Sequence, residues 1–196
     1  YCHVPDSDAR DVEQAVAAAE AAFPIWSNTP TAKRSQILLK IADLIEANAD
    51  RLARAECIDT GKPLSLARTL DIPRAAANFR FFATAILHFH SQSHVMDDVA
   101  INYTLRQSRG ICGLITPWNF PLHLLTWKTA PALACGNTAV AKPSEITPMT
   151  AYLLSTLCQE AALPAGVLNI VHGRGPKAGE AIVRHPKITT ISFTGG

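Results

Sequence analysis

The sequence predicts an α/β protein in which a mainly helical N-terminal part precedes a partial parallel sheet. Three observations carry that expectation. Up to residue 106, apolar residues recur at the three- and four-residue spacing of amphipathic helices. From residue 107 on, short apolar runs alternate with helical stretches, the order expected of right-handed βαβ crossovers. Two of those runs break into polar loops stiffened by proline, Thr116-Pro117-Trp118-Asn119 and Lys142-Pro143-Ser144-Glu145. Such loops deliver side chains from strand ends to a ligand.

The helices follow in order. Val12, Ala15, Val16, Ala19 and Phe23 form one apolar stripe over Asp8 to Phe23, with Ser7 or Asp8 as the cap. Pro24 and Pro30 punctuate the connection to a second helix, Thr31 to Ala49, whose apolar face holds Ile37, Leu38, Ile41, Leu44 and Ile45. A third runs from Asp50 to Asp59 and stops at Thr60-Gly61-Lys62-Pro63, Gly followed shortly by Pro. A longer stretch, Leu64 to Phe89, is expected to bend near Ile72-Pro73, because proline removes a backbone donor.

Strand character begins at Ile101 to Gly110, where Ile101, Tyr103 and Leu105 alternate with Asn102, Thr104 and Arg106, the period of a half-buried strand. Further strands are expected at 113–115, 138–141, 167–171 and 190–193, separated by helices near 122–134, 148–161 and 176–184. The division into a helical part, 1–106, and a strand-bearing part, 107–196, follows from this change of period.

Composition narrows the function classes. With 196 residues, 48% hydrophobic and 17% charged, the chain can bury a sizeable core. A net charge of +2, with scattered Lys and Arg, excludes nucleic acid as the expected partner. The most apolar region, Ile111 to Ala141, is cut by Pro117, Asn119, Pro121, Lys128 and Pro131, so no run reaches the roughly 20 residues of a membrane span. Five cysteines without C-x-x-C spacing indicate neither a disulfide framework nor a zinc ribbon, and a cytoplasmic protein with reduced thiols is expected. His88, His90 and His94 lack a completing ligand cluster, so no metal is expected. Tyr1 follows no initiator Met, and both ends read as cut.

Read alone, Asn119 fits two roles. Its carboxamide can donate to an oxygen that gains negative charge during attack on a carbonyl, or it can satisfy its own turn. Lys142 and Glu145 can hold a diol from both sides, the ammonium donating and the carboxylate accepting, or they can form a plain ion pair. Gly173-Arg-Gly-Pro-Lys-Ala-Gly179 lets backbone approach a ligand or is an ordinary loop.

Together with the terminal Phe193-Thr-Gly-Gly196, these loops resemble the first part of the cofactor-binding domain of the aldehyde dehydrogenase superfamily, over essentially the whole chain. The resemblance implies a partial Rossmann-like sheet, NAD as cofactor and Asn119 as the donor to a thiohemiacetal oxyanion. By the same resemblance, Ile115, Thr116, Pro117 and Trp118 line the nicotinamide half of the groove, and Lys142, Ser144 and Glu145 lie at the adenosine ribose. Gly175 and Gly179 then lie beside the adenine, and Phe193, Thr194, Gly195 and Gly196 along the dinucleotide. A carboxylate at Glu145 repels a 2′-phosphate and favours NAD over NADP.

The nucleophilic Cys and the general-base Glu of the family correspond to positions past Gly196, so the 196 residues alone are expected to be inactive. A homodimer or homotetramer is implied for the longer form. The run Asp71 to Ala83 and the segment Leu124 to Lys128 are most similar to the branch oxidising 2-aminomuconic and 2-hydroxymuconic semialdehydes. Those substrates carry carboxylates, for which Arg74 is the candidate partner and Arg80 the second. The alternative reading is an inactive dinucleotide-binding or subunit-interaction module.

Overall fold

The computed structural model describes residues 3–195. Helix α1 spans Ala9–Ser27 and starts at a capping box: Asp8 accepts from the Arg10 amide at 2.8 Å, and Asp11 accepts from the Asp8 amide at 3.0 Å. The helix runs through Pro24 rather than stopping before it. One missing backbone donor is offset by the anchor in the last turn, where fully buried Trp26 donates from Nε1 to the Leu133 carbonyl at 3.1 Å. Helices α2 (Thr31–Ala47) and α3 (Ala49–Thr60) follow, the latter closed by Gly61 at φ 74°, a left-handed cap. A short α4 (Leu64–Leu66) passes into one π-helical turn over Ala67–Asp71, and α5 (Ile72–Ala85) follows. The expected irregularity thus lies just before Pro73, where the ordinary helical ladder loses a donor.

The first strands differ from the sequence expectation. β1 (Ser93–Met96) and β2 (Ala100–Tyr103) form an antiparallel hairpin whose residues are all exposed. Ile101, Tyr103 and Leu105 are about as exposed as one another, at 70%, 68% and 69%, so their alternation marks a ribbon without a core face. The strand expected to reach Gly110 ends at Tyr103.

β3 (Ile111–Ile115), β4 (Thr138–Lys142), β5 (Leu168–Ile170) and β6 (Ile188–Phe193) make one parallel sheet in the order β5-β4-β3-β6. They are joined by α6 (Pro121–Ala134), α7 (Met149–Glu160) and a π turn (Gly175–Gly179) leading into α8 (Glu180–Arg184). Every residue of β3 and β4 is buried, as a parallel strand covered on both faces requires.

The two faces have separate cores. Cys112, Leu114, Ala139 and Ala141 pack under the layer of α2, α5, α6 and α7. Ile111, Ile115 and Val140 pack against Val12, Val16 and Ala19 of α1 and Ile182 of α8. Helix α1 is therefore part of the layer that covers the sheet.

Gly166, at φ 82° in the turn before β5, lets α1 come close: a Cβ there would lie 2.4 Å from the Ala18 carbonyl oxygen. Gly166→Ala combines left-handed strain with a clash against backbone. It should lower stability by about 2 kcal/mol or more, read as a fall in thermal midpoint. An unchanged midpoint would contradict this packing of α1 on the sheet.

Candidate active-site edge

Parallel strands deliver their carboxyl ends to one edge, and register decides which residues meet there. Ile115 at the end of β3 is paired with Lys142 of β4 on one side and Phe193 of β6 on the other. The ladder continues past the strands, with the Thr116 amide donating to the Lys142 carbonyl at 3.2 Å and the Thr194 amide to the Ile115 carbonyl at 3.1 Å. Residues 115–119, 142–145, 172–175 and 193–195 therefore share one edge. From β3 the chain steps outward to β4 and β5 and then crosses to β6 on the far side, so β3 and β6 flank the point where strand order reverses.

Lys142, 3% exposed, donates to Glu145 at 3.1 Å and to the Pro143 carbonyl at 2.7 Å. Burial alone would raise the Glu145 carboxyl, but the nearby Glu145 amide, the hydrogen bond and charge of Lys142 and the nearby Gly175 amide outweigh it and hold the group below its usual range. Gly175 has nothing within 4 Å of where a Cβ would stand, and Gly179 would place one 3.5 Å from the Lys142 methylene chain. The sequence-predicted set Lys142, Glu145, Gly175 and Gly179 is thus brought together around an open space.

Ser144 is placed differently. It is buried, and its hydroxyl accepts from the Ile146 amide at 3.3 Å, closing the turn between Lys142 and Glu145. Two polar atoms at this edge, Thr116 Oγ1 and His172 Nδ1, are buried with no hydrogen-bond partner among the described residues. Burial, followed by the charge of Lys142, depresses the His172 imidazole and keeps it neutral.

Trp118 and Asn119 are exposed on the β3–α6 loop, with Trp118 at 57%. Phe193, Thr194 and Gly195 are exposed after β6, and the Phe193 ring folds toward Gly195. Gly196 lies outside the described residues, as does Cys2.

The sequence profile of the aldehyde dehydrogenase family matches residues 1–196. The chain belongs to the aldehyde dehydrogenase family. It is 55% identical over 196 residues to 2-aminomuconic semialdehyde dehydrogenase of Bos taurus, covering 100% of this chain and 40% of that relative. It is 48% identical to 2-hydroxymuconic semialdehyde dehydrogenase of Pseudomonas sp. (strain CF600), covering 98% of this chain and 41% of the relative. Among solved structures, it superposes at TM-score 0.96 and 46% identity on a putative aldehyde dehydrogenase from Burkholderia cenocepacia, covering 98% and 40% of the two chains. An aldehyde dehydrogenase of Bacillus cereus solved as an NAD+ complex superposes at 0.95 with 40% identity, covering 97% and 39%. The chain thus spans about 40% of the length of the curated relatives it matches.

The helical layer supplies side chains next to the Asn119 loop. Arg74 is exposed on α5 and close enough to His123 that, after burial, its charge is the next cause depressing that imidazole. Arg80, the second candidate, is engaged elsewhere: its guanidinium spans Asp43 at 3.1 Å and Glu46 at 2.7 Å, both on α2. Asn78, which sequence reasoning passed over, ties α5 to α6 by donating to the His123 carbonyl at 3.1 Å and to Thr126 at 3.0 Å. An amide among the apolar positions Ala75, Ala76 and Phe79 is the signal that could have found it.

A second missed feature is a buried charge cluster. Glu56 and Asp71 have fully buried side chains, and the Lys62 ammonium lies 2.5 Å from Asp71 and 3.8 Å from Glu56. Two carboxylates at buried positions of a helix and its neighbour call for a cation, and the sequence marks Lys62 only as part of a helix stop. Among the described residues no group of three or more His, Cys, Asp or Glu could hold a metal ion. No helix there is long and apolar enough to cross a membrane.

Burial pushes the Glu56 carboxyl up to about 7 from 4.5. Thr150 and the Leu122 amide face it, yet both of its oxygens lack a hydrogen bond of full geometry. The folded state therefore holds a proton that the unfolded chain releases. Its stability contribution is full below about pH 4.5 and is lost as pH rises through about 7, for a total of about 3 kcal/mol. Urea titrations of wild type and Glu56→Gln between pH 5 and 8 should diverge by about 2–3 kcal/mol, in favour of Gln at high pH. A difference independent of pH would contradict the burial of an ionising Glu56.

Proposed function

We propose that the protein carrying this chain is an NAD-dependent dehydrogenase that oxidises an aldehyde, a muconic semialdehyde in this reading, to a carboxylic acid. The observation that carries the reading is the register of β3. It aligns Ile115 with Lys142 and Phe193 at the edge that also bears Asn119, in a chain of the aldehyde dehydrogenase family. Relatives named for 2-aminomuconic and 2-hydroxymuconic semialdehydes support the substrate class.

The residues at the edge fit NAD. In this reading the Lys142 donor and the Glu145 acceptor exchange their mutual 3.1 Å contact for the hydroxyls of the adenosine ribose, with Ser144 beside them and Gly175 and Gly179 next to the adenine. Glu145, held ionised, opposes a 2′-phosphate and favours NAD over NADP. Thr116 and the exposed face of Trp118 border the nicotinamide half, with Ile115 and Pro117, and Phe193 to Gly195 border the diphosphate half. NAD bound there supplies the hydride acceptor.

Asn119 donates its amide N–H to the carbonyl oxygen as negative charge grows during attack, a contribution of about 3 kcal/mol for one such donor. Arg74 offers a guanidinium to a substrate carboxylate. Nucleophile and base are assigned to residues outside these 196, so the segment alone is inactive. Three of its thiols support that assignment: burial raises Cys112 to about 11 and Cys158 to about 12, and burial also raises Cys135. Thiols so protonated at neutral pH are poor nucleophiles. The reading includes a cytoplasmic homodimer or homotetramer.

In the protein at its natural length, Asn119→Ala should lower turnover roughly a hundredfold with little change in NAD affinity. Steady-state kinetics with NAD and 2-hydroxymuconic semialdehyde test this. Wild-type turnover in the variant would remove Asn119 from the chemistry.

A further inference from the structure

We propose that Lys62 is a positioning residue for Asn119, its ammonium fixing the main chain of that residue so that the carboxamide projects from the loop in one direction. The inference rests on the oxyanion role given to Asn119 above.

An ammonium has three donors and no acceptor. One is taken by Asp71, at 2.5 Å, and another reaches the main-chain carbonyl of Asn119, at 3.2 Å. Glu56 lies 3.8 Å from the same nitrogen, and the ring of Phe120 lies beneath it at 4.8 Å from the centroid, a cation–π contact. Lys62 thereby ties together three separate pieces of chain: the buried end of α3 at Glu56, the π turn at Asp71, and the loop carrying Asn119 and Phe120.

Asp71 and Glu56 are fully buried, and the Lys62 side chain is 11% exposed. The anchor is therefore rigid and largely screened from water. Asn119, by contrast, sits on an exposed loop, and among the described residues the Lys62 ammonium is the hydrogen-bond partner it has. The bond goes to its main chain, which leaves the carboxamide free to donate. A free donor on a pinned backbone is the arrangement that stabilises a developing oxyanion without reorganisation during the reaction. A purely structural role for Lys62, pairing with Asp71 beside Glu56, does not require the contact to Asn119.

A double-mutant cycle in the protein at its natural length, assayed with NAD and 2-hydroxymuconic semialdehyde, separates these roles. Lys62→Met keeps the stem and removes the ammonium. It should lower kcat about tenfold or more with the KM for NAD unchanged, and change kcat less than about twofold in an Asn119→Ala background. Equal losses in both backgrounds, or wild-type kcat in Lys62→Met, overturn the proposal.

If Lys62→Met does not fold, Lys62→Arg carries the test. A planar guanidinium keeps the charge and alters the geometry, so a smaller loss is expected that again vanishes without the Asn119 side chain. A loss that persists there overturns the proposal. Full turnover in Asn119→Ala alone instead removes the oxyanion reading on which the inference stands, an outcome distinct from additivity.

Discussion

The arrangement depends on one strand. β3 is buried along its whole length between β4 and β6, and its parallel register fixes which residues of three strands emerge at the same level. A slip of one residue would exchange its two faces, burying Leu114 where Ile115 belongs and aiming the Asn119 loop elsewhere. The separate cores above and below the sheet oppose such a slip, because Ile111 and Ile115 fit against α1 while Cys112 and Leu114 fit under α6 and its neighbours. The shared edge is thus a consequence of packing on the two faces of the sheet.

Much of this was legible in the sequence, for reasons tied to periodicity. The buried strands read as apolar runs because both of their faces are covered, α2 reads as a helix because its apolar stripe is continuous, and the end of α3 reads from its Gly-Pro stop. Legibility failed where local pattern and tertiary setting part. Pro24 signals a stop, but the Trp26 anchor carries α1 past it. The alternation at Ile101, Tyr103 and Leu105 implies a half-buried strand, but alternation says nothing about whether a core lies opposite, and here none does.

The site divides in the same way. Loops that follow strands announce themselves by composition, so Asn119, Lys142 and Glu145 were visible beforehand. Their supports were not. The Ser144 hydroxyl also closes a turn, while Lys62, which lies in a helix-stop signature, pairs with Asp71 beside Glu56 and reaches the Asn119 carbonyl. The Lys62–Asn119 contact joins residues 57 positions apart, a separation at which sequence spacing has no bearing on contact. Buried charge at periodic helix positions is the trace such supports leave.

In the proposed function, the edge where β3, β4 and β6 end is a dinucleotide groove gripped at Lys142 and Glu145. Calorimetric titration of NAD into the protein at its natural length, wild type against Glu145→Ala, tests it most directly. Saturable binding that weakens in the variant is the predicted result. Equal affinity in the two proteins would contradict the claim and place the cofactor elsewhere.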